Sequence, residues 1–454
     1  MLRQALALTL AVFFCAATYA ADSPAPPRRL SLAHSISIAL RQNRTLQAAS
    51  LGSEAAQDEV GVARGAMLPH LDADENISYT NNPVQVFSSL LLQQEFTQSD
   101  FGLDQLNHPG FLSNFQSQVR LSFPIFAGGR LLAAYRAAGF AADAKRWSRI
   151  QTRQRVEFAV IEAYYAAVLA EQRVAVVERA LAAARAHLGQ AENMFRHGMV
   201  VNSDVLRTRV LAGSYEQQRI EAESELHIAW ASFAHVLGDE DQRIAPLKHP
   251  MALQASVPAA GSLDALVKQA LAKRPEIKVA DSRVREAGQA VKIARADYLP
   301  TIEVAGVYEN DSEQLTRAGN NGALLVTARI NLFNGMATRA KVDAAQVKLE
   351  RARVLARDLR HAVALEVDSA YRRLGAATEA LKVAKRDTTY AASALKILED
   401  RYGSGLATNV AVLDAQTTRE RADMRLVAAR IQVAVDHAAL NLAVGVAPQG
   451  ASGH

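Results

Sequence analysis

Two stretches of this chain decide its fold, because one repeats the other. Ser31–Leu71 reads SLAHSISIALRQNRTLQAASLGSEAAQDEVGVARGAMLPHL, and Ser262–Ile302 reads SLDALVKQALAKRPEIKVADSRVREAGQAVKIARADYLPTI. They align without a gap at a constant offset of 231 positions (262 − 31), and both end on a matched Leu-Pro pair, at 68–69 and 299–300. Similarity along two such long segments indicates one architecture laid down twice, rather than a solenoid of short repeats.

The match continues to the end of the second copy at an offset of 207 positions. The pairs at this offset are Phe126 with Phe333, Gly128 with Gly335, Gly198 with Gly405, Leu206 with Leu413 and Gly238 with Gly445. The first copy therefore holds 24 additional residues (231 − 207) between Pro69 and Phe126. We predict a first repeat at 21–238, a linker at 239–261, a second repeat at 262–446 and a tail at 447–454.

The composition favours long helices in close contact. Half of the 454 residues are hydrophobic, with Ala, Leu and Val in excess, and only 6% are aromatic. The net charge of +5 comes from 51 basic and 46 acidic residues that are mixed along the chain. Because there is no basic block, we expect no nucleic-acid partner.

The N-terminus predicts export from the cytoplasm. Residues 1–20 have the pattern of a signal peptide, with an apolar stretch at Ala5–Ala17 and a small-residue cleavage site ending at Ala20. Cys15, the one cysteine of the chain, lies in this segment, so the mature protein is expected to have no disulfide. Phe14 precedes Cys15 where a lipid-attachment site needs a small residue, which argues against lipidation.

Each copy contains a long stretch without proline, from 125 to 245 and from 301 to 447. Apolar residues recur there with alternating spacings of four and three, which is the pattern of a left-handed coiled coil. The first seam is Val156, Val160, Ala163, Ala167, Ala170, Val174, Val177, Leu181, Ala184, Leu188, Ala191 and Phe195. The second seam follows 207 positions later and is broken only by Thr388. Gly198 and Gly405 suit the residue after a helix end. Capping groups for the returning helices are expected at Asn202–Asp204 and Thr408–Asn409. Each copy is therefore predicted to form a long antiparallel helical hairpin with its tip near 198–204 or 403–414.

The period changes to two before each hairpin, which predicts paired β-strands. The strands are expected at about 71–80, 115–125, 302–310 and 324–333. Each has one apolar and one polar face, as the wall of a membrane barrel needs, and polar segments join the strands of each pair. Four strands cannot close a barrel, and an open sheet edge is not tolerated in lipid. The chain must therefore oligomerise, with two, three or four copies sharing one barrel.

Together these features resemble the TolC-type outer-membrane efflux family over 30–446. The resemblance rests on the duplicated plan, on Phe-x-Gly at 126–128 and 333–335, and on the tip motifs at 198–206 and 405–414. It implies an α+β membrane protein that forms a homotrimer. Four strands per chain would build a shared outer-membrane β-barrel, continued by a long periplasmic α-helical coiled-coil barrel.

The same resemblance implies a passive exit duct located in the outer membrane and extending into the periplasm. Its partners would be outer-membrane lipid, a periplasmic adaptor protein and an inner-membrane pump of the RND or ABC type. Small-molecule efflux is the expected role. Type I protein secretion is an alternative, and a non-conducting structural coiled coil or adhesin is a more distant one.

The resemblance also points to gate residues at the tips. Asp414 is expected in the first turn of the second returning helix. It matches the second of two carboxylates that line the narrow end in this family, while the first position holds Ala411. A ring of Asp414 side chains is one interpretation, and stabilisation of the helix start or pairing with Arg207 is the other. Asp204 and Tyr402 match groups that link the hairpins. The basic partner that this family has is missing, since Ala407 stands in its place. The structural alternatives to a linking role are helix capping for Asp204 and packing in the coiled-coil seam for Tyr402.

The turns of the tips are expected to contact the adaptor. The candidates are Gly198, Met199, Val200, Gly405, Leu406 and Ala407. The sequence has no phosphate-binding loop, no nucleophile elbow and no Cys/His cluster at ligand spacing. We therefore expect neither an enzyme nor a metal or cofactor site.

Overall fold

The fold is that of a computed structural model, which describes residues 28–238, 244–246, 262–314 and 319–446. The predicted signal peptide with Cys15, the predicted tail at 447–454 and most of the predicted linker lie outside these residues. The described part of the linker is a short strand, β4 (Ile244–Pro246), which pairs in parallel with β1 (Arg28–Leu30) at the start of the first copy.

The two copies have the same order of elements. Each begins with two short helices, continues with two long strands and ends in a helical hairpin. The first copy contains α1 (Leu32–Gln42), α2 (Arg44–Gly65), β2 (His70–Thr80), α3 (Pro83–Leu92), α4 (Leu103–Asn107), β3 (Leu112–Ala127), α5 (Arg130–Arg196) and α6 (Asn202–Leu237). The second contains α7 (Leu263–Lys273), α8 (Pro275–Arg295), β5 (Thr301–Ser312), β6 (Gly319–Arg329), α9 (Ala337–Gly403) and α10 (Asn409–Val444).

The four long strands form one antiparallel sheet in the order β2-β3-β5-β6. The register aligns apolar residues across it: Leu71 lies opposite Leu121, and Gly306 lies between Leu121 and Leu324. Leu71 and Leu324 are 70% and 77% exposed in the single chain. The outer edges of β2 and β6 are unpaired within the described residues, so the sheet presents an apolar face and two open edges.

The position of β6 differs from the sequence prediction. A strand at about 324–333 was expected, whereas the strand spans Gly319–Arg329. Pairing sets these limits, because β5 begins at Thr301, directly after Pro300, and Thr301 lies opposite Arg329. Residues 330–333 have no strand opposite them. At the other end Gly319 pairs with Asp311, so residues expected in a loop extend the ladder.

The segment between β2 and β3 is also more ordered than the expected polar loop. It contains α3, a 3₁₀ turn at Gln98–Phe101 and α4. Asn82 caps α3, and its side-chain oxygen accepts hydrogen bonds from the backbone N–H groups of Val84 and Gln85. The 24 residues present only in the first copy therefore build a small helical unit at the turn end of the sheet.

The hairpins are rods of matched length. The outgoing helices α5 and α9 have 67 residues each, and the returning helices α6 and α10 have 36. At 1.5 Å per residue, the outgoing helices are about 100 Å long. Most seam residues are buried, including Val160 and Val367 with no exposed surface. Where Thr388 breaks the seam, its hydroxyl donates to the backbone carbonyl of Ala422 at 3.1 Å, which ties α9 to α10.

None of the described helices combines the length and the apolar character that crossing a bilayer requires.

Equivalent residues fasten the base of each hairpin. In the first copy, the Asn43 amide donates to the carbonyl of Val236 at 3.0 Å, near the end of α6. In the second copy, Arg274 stands at the matching position and donates to the carbonyl of Ala443 at 3.4 Å. The last carbonyls of a helix have no partner within it, so each contact also satisfies a helix end.

Arg274 carries an additional ionic cluster. Its guanidinium is 7% exposed and donates to Glu276 at 3.1 Å and to Glu366 at 2.5 Å. Burial raises the pKa of Glu276, but hydrogen bonds from Arg274 and Gln151 outweigh it and lower that pKa overall. Glu276 is therefore ionised at neutral pH and needs Arg274 as its counter-charge.

We predict that Arg274→Ala destabilises the protein by about 2–3 kcal/mol, because it leaves the largely buried Glu276 charge without its counter-charge, with only the neutral Gln151 amide beside it. Thermal melting of the purified protein, followed by circular dichroism, measures the effect. Arg372→Ala is the control, since the Arg372 side chain is 73% exposed and pairs only with Asp368 on its own helix. Equal melting temperatures for the two variants would contradict the assigned role of Arg274.

Candidate functional site at the hairpin tips

Both hairpins turn through the same backbone motif. Gly198 and Gly405 adopt left-handed φ values of 73° and 72°, as predicted for the residue after a helix end. The N–H of Gly198 bonds to the carbonyl of Phe195 at 2.9 Å, and that of Gly405 to Tyr402 at 3.0 Å. The next N–H groups reach back five residues, which completes the closure of each helix end.

The returning helices begin differently from each other. Thr408 caps α10, and its hydroxyl accepts the N–H of Ala411 at 3.3 Å. In the first hairpin the sequence predicted capping by the Asn202–Asp204 segment, but Val201 occupies the cap and has no side-chain acceptor. Asn409, which was also expected to act in capping, is instead 4% exposed and directed toward the other hairpin.

Asn409 lies at the centre of a hydrogen-bonded node between the two hairpins. Its oxygen lies 2.7 Å from Nε2 of His187 on α5. Its amide nitrogen lies 3.0 Å from the carbonyl oxygen of Asp204 and 3.2 Å from the hydroxyl of Thr208, both on α6. Because an amide oxygen only accepts, His187 donates to Asn409 from Nε2–H. The Thr208 hydroxyl donates to the carbonyl of Asp204 at 2.9 Å and accepts from the Asn409 amide. One side chain of the second hairpin thus bonds to both helices of the first.

Tyr402 completes the contact from α9. Its ring lies against the His187 ring with 4.9 Å between centroids, and the residue is 2% exposed. Burial raises the pKa of Tyr402, and the nearby charge of Asp204 raises it further. The phenol is therefore neutral at physiological pH, and its hydroxyl has no hydrogen-bond partner among the described residues.

The predicted carboxylates occupy different surroundings. Asp204 lies in the first turn of α6, is half-buried, and joins the node through its backbone carbonyl. Asp414 was expected in the first turn of α10 but lies in the second, since the helix begins at Asn409. Asp414 is exposed, and within the described part of the chain it makes no ion pair, with Arg207 or any other residue.

Sequence reasoning missed three members of the node: His187, Thr208 and the bridging role of Asn409. The duplication contained a usable signal, because the positions equivalent to His187 and Thr208 in the second copy are Ala394 and Ala415. A buried polar residue where the other copy has alanine marks a contact that only one copy makes. The equivalent of Asn409 is Asn202, which is exposed.

The turns themselves present apolar side chains to solvent. Met199 is 64% exposed, Val201 is 62% exposed and Leu406 is 68% exposed. Gly198 and Gly405 are exposed as well, whereas Val200 and Ala407 are half-buried. Among the described residues, no group of three or more His, Cys, Asp or Glu side chains is arranged to hold a metal ion.

The node joins the hairpins without an ion pair. A neutral hydrogen bond contributes about 0.5–1.5 kcal/mol, so three bonds from Asn409 amount to a few kcal/mol. That is the size of the free-energy gap that commonly separates two conformations of a protein.

Comparisons with known proteins agree with this architecture. The model of a family described as outer membrane efflux protein matches residues 35–239 and 266–446, which is most of each copy. Protein CyaE of Bordetella pertussis is 27% identical over 434 residues, covering 93% of this chain and 86% of that protein. The alkaline protease secretion protein AprF of Pseudomonas aeruginosa is 25% identical over 332 residues, covering 71% and 65%.

The fold is shared with solved channels. The open-state crystal structure of the MtrE outer membrane channel from Neisseria gonorrhoeae superposes with a TM-score of 0.76 at 20% identity. The superposition covers 93% of this chain and 91% of that one. The fold class predicted from the sequence is thereby confirmed.

We predict that Asn409→Ala loosens both tips, because it removes the bonds to Thr208 and to the Asp204 carbonyl and leaves the buried His187 ring nitrogen without its partner, at a cost of about 1–3 kcal/mol for that unsatisfied group. Hydrogen–deuterium exchange should become faster at 184–210 and 399–413. Asn202→Ala is the matched control, since Asn202 is the exposed equivalent in the other hairpin. Equal exchange rates at the tips of the two variants would show that the node does not hold the hairpins.

Proposed function

Because the chain belongs to the outer membrane efflux protein family, we propose that it is the exit duct of an export system. It is located in the outer membrane and extends into the periplasm. The proposal rests on two features that occur together in one chain. One is a β-sheet with two open edges, and the other is a set of helical rods that end in hydrogen-bonded tips. The sheet supplies a wall for the membrane, and the rods supply a conduit that its tips can close.

Three copies of the chain complete the duct in this proposal. Each copy contributes four strands, and the unpaired edge of β6 in one copy meets that of β2 in the next, giving twelve strands and no open edge. The tips support the same arrangement. Tyr402 is buried against the first hairpin of its own chain, whereas its equivalent Phe195 is 44% exposed and free to pack against a neighbouring copy.

The node around Asn409 serves as the latch of the closed duct. Asp204 and Tyr402 retain the gate role expected from the resemblance, but through a carbonyl and a buried ring rather than through an ion pair. The absence of a basic residue at Ala407 fits this arrangement, since Asn409 supplies the link between the hairpins without a charge. Opening requires the first hairpin to release Asn409.

Asp414 is proposed to form a ring of three carboxylates at the narrow end. Its exposed position, without a counter-charge in the described chain, suits a group that faces water in the pore. Rings of acidic side chains favour cations over anions.

The turns of the hairpins are proposed to bind a periplasmic adaptor, which couples the duct to an inner-membrane pump. Met199, Val201 and Leu406 are apolar and mostly exposed, as a docking surface for helices of a partner requires. Binding of the adaptor would pull on both hairpins and so strain the hydrogen bonds of the Asn409 node between them.

The proposed cargo is small molecules, in keeping with the efflux described for the family. Protein secretion is the second candidate, favoured by the similarity to AprF, whose name records secretion of an alkaline protease. The two cargoes use the same duct and differ in the pump and adaptor that feed it.

Deletion of the gene is expected to raise the intracellular accumulation of dyes and antibiotics, and complementation should restore the original level. The same strains allow a comparison of secreted proteins. Unchanged accumulation together with the loss of a secreted protein would replace efflux by protein secretion. No change in either measurement, with related ducts also deleted, would contradict the proposed role.

Asp414→Ala is expected to weaken the cation selectivity of the protein in planar bilayers, because it removes the proposed ring of negative charge. The reversal potential in a KCl gradient measures the effect. Asp104→Ala is the control, because it removes an exposed carboxylate from α4, which lies beside the sheet and not at the hairpin tips. If the reversal potential of Asp414→Ala equals the wild-type value, the proposed carboxylate ring is contradicted.

A further inference from the structure

The helical unit between β2 and β3 is fixed to the sheet. Gln93 donates to Asn114 at 2.8 Å and to the carbonyl of Ser113 at 3.0 Å. From strand β6, Asn321 donates to the carbonyl of Leu92 at 3.2 Å. These contacts attach the end of α3 to β3 and β6, so the unit has a defined shape.

This unit borders an open cavity of about 370 Å³ whose lining combines aromatic and polar residues. Phe87 and Phe96 meet edge to face with 5.0 Å between ring centroids, and Phe111, Leu90 and Leu106 line the remaining apolar wall. Cavities that bind small organic molecules have volumes of roughly 300–1,000 Å³, so the volume of this one is sufficient for such a ligand. The polar groups in this wall include Asp100, Gln105 and His108.

The charge around the cavity has one sign. Residues 81–114 contain three carboxylates, Glu95, Asp100 and Asp104, and no lysine or arginine. Asp100 lines the cavity, and one of its oxygens accepts hydrogen bonds from the backbone N–H and the hydroxyl of Thr97, both at 2.7 Å. These bonds lower the pKa of Asp100, so the carboxylate stays ionised at neutral pH.

We propose that this cavity binds a lipophilic organic cation, with the apolar body against the phenylalanine rings and the charged nitrogen or phosphorus centre on the side of Asp100. The faces of aromatic rings attract cations, and the carboxylate adds a counter-charge at the edge of the apolar wall. An apolar anion of the same size fits the volume but meets only negative charge. The site does not depend on the duct or on its gate.

Binding of tetraphenylphosphonium to the purified full-length protein in nanodiscs tests the proposal. Equilibrium dialysis against empty nanodiscs removes the contribution of the lipid. Saturable binding of one cation per chain is expected, with no saturable binding of tetraphenylborate, which has nearly the same shape and the opposite charge. Asp100→Asn should weaken the binding about tenfold, a change typical for the loss of one strong contact.

Three further variants make the result decisive. Leu90→Trp fills the cavity without changing charge and should abolish binding, provided that its melting temperature equals that of the wild type. Asp104→Asn changes a carboxylate outside the cavity and Asp414→Asn changes the proposed pore ring; neither should alter the affinity. The proposal fails if tetraphenylphosphonium shows no saturable binding, if tetraphenylborate binds equally, or if Asp100→Asn and Leu90→Trp bind like the wild type.

Discussion

Close packing of alanine-rich helices along a 3.5-residue seam is the interaction on which the rest of the structure depends. The small seam residues let two helices approach along a length of about 100 Å, without the large side chains of an ordinary core. Polar groups have little room in such a seam, and the Thr388 hydroxyl that interrupts it is bonded across to the carbonyl of Ala422. Against this apolar background, the concentration of His187, Thr208, Tyr402 and Asn409 at the tips is a local exception. It places the directional contacts where the two hairpins meet.

Much of the fold follows from the sequence, because each element has a strong periodicity. The long hairpins, their left-handed glycines and the four strands were predictable, since a helical seam and an alternating strand pattern depend on neighbours in the chain. The limits of β6 were not, because they are set by its pairing with β5, which begins after Pro300. The sequence predicted a polar loop at 81–114, where the structure has a helical unit. Its helices are too short to show a periodicity, and the second copy has no equivalent segment with which to compare it.

The contacts of the tip node were even less predictable from the sequence than the limits of β6. Asp204 and Tyr402 were identified through resemblance to a family, but the bridging atom comes from Asn409, which the sequence suggested only as a helix cap. Two copies that share a fold need not share their contacts. The position of His187 faces the second hairpin of the same chain, whereas its alanine equivalent at 394 is exposed and has no such neighbour within the chain. Duplication thus predicts the architecture twice, while the node between the hairpins arises where the two copies differ. The base of the hairpins follows the same rule, with a neutral contact at Asn43 and an ionic cluster at Arg274.

The central claim is that a neutral node around Asn409 keeps the duct closed at its tips. Single-channel conductance of the purified protein in planar bilayers tests it most directly, with wild type, Asn409→Ala and Asn202→Ala recorded under the same salt. A larger conductance or a higher open fraction for Asn409→Ala alone is the predicted result. Conductance and open fraction that are the same for all three proteins would contradict the claim, because the tips would then be held by other contacts.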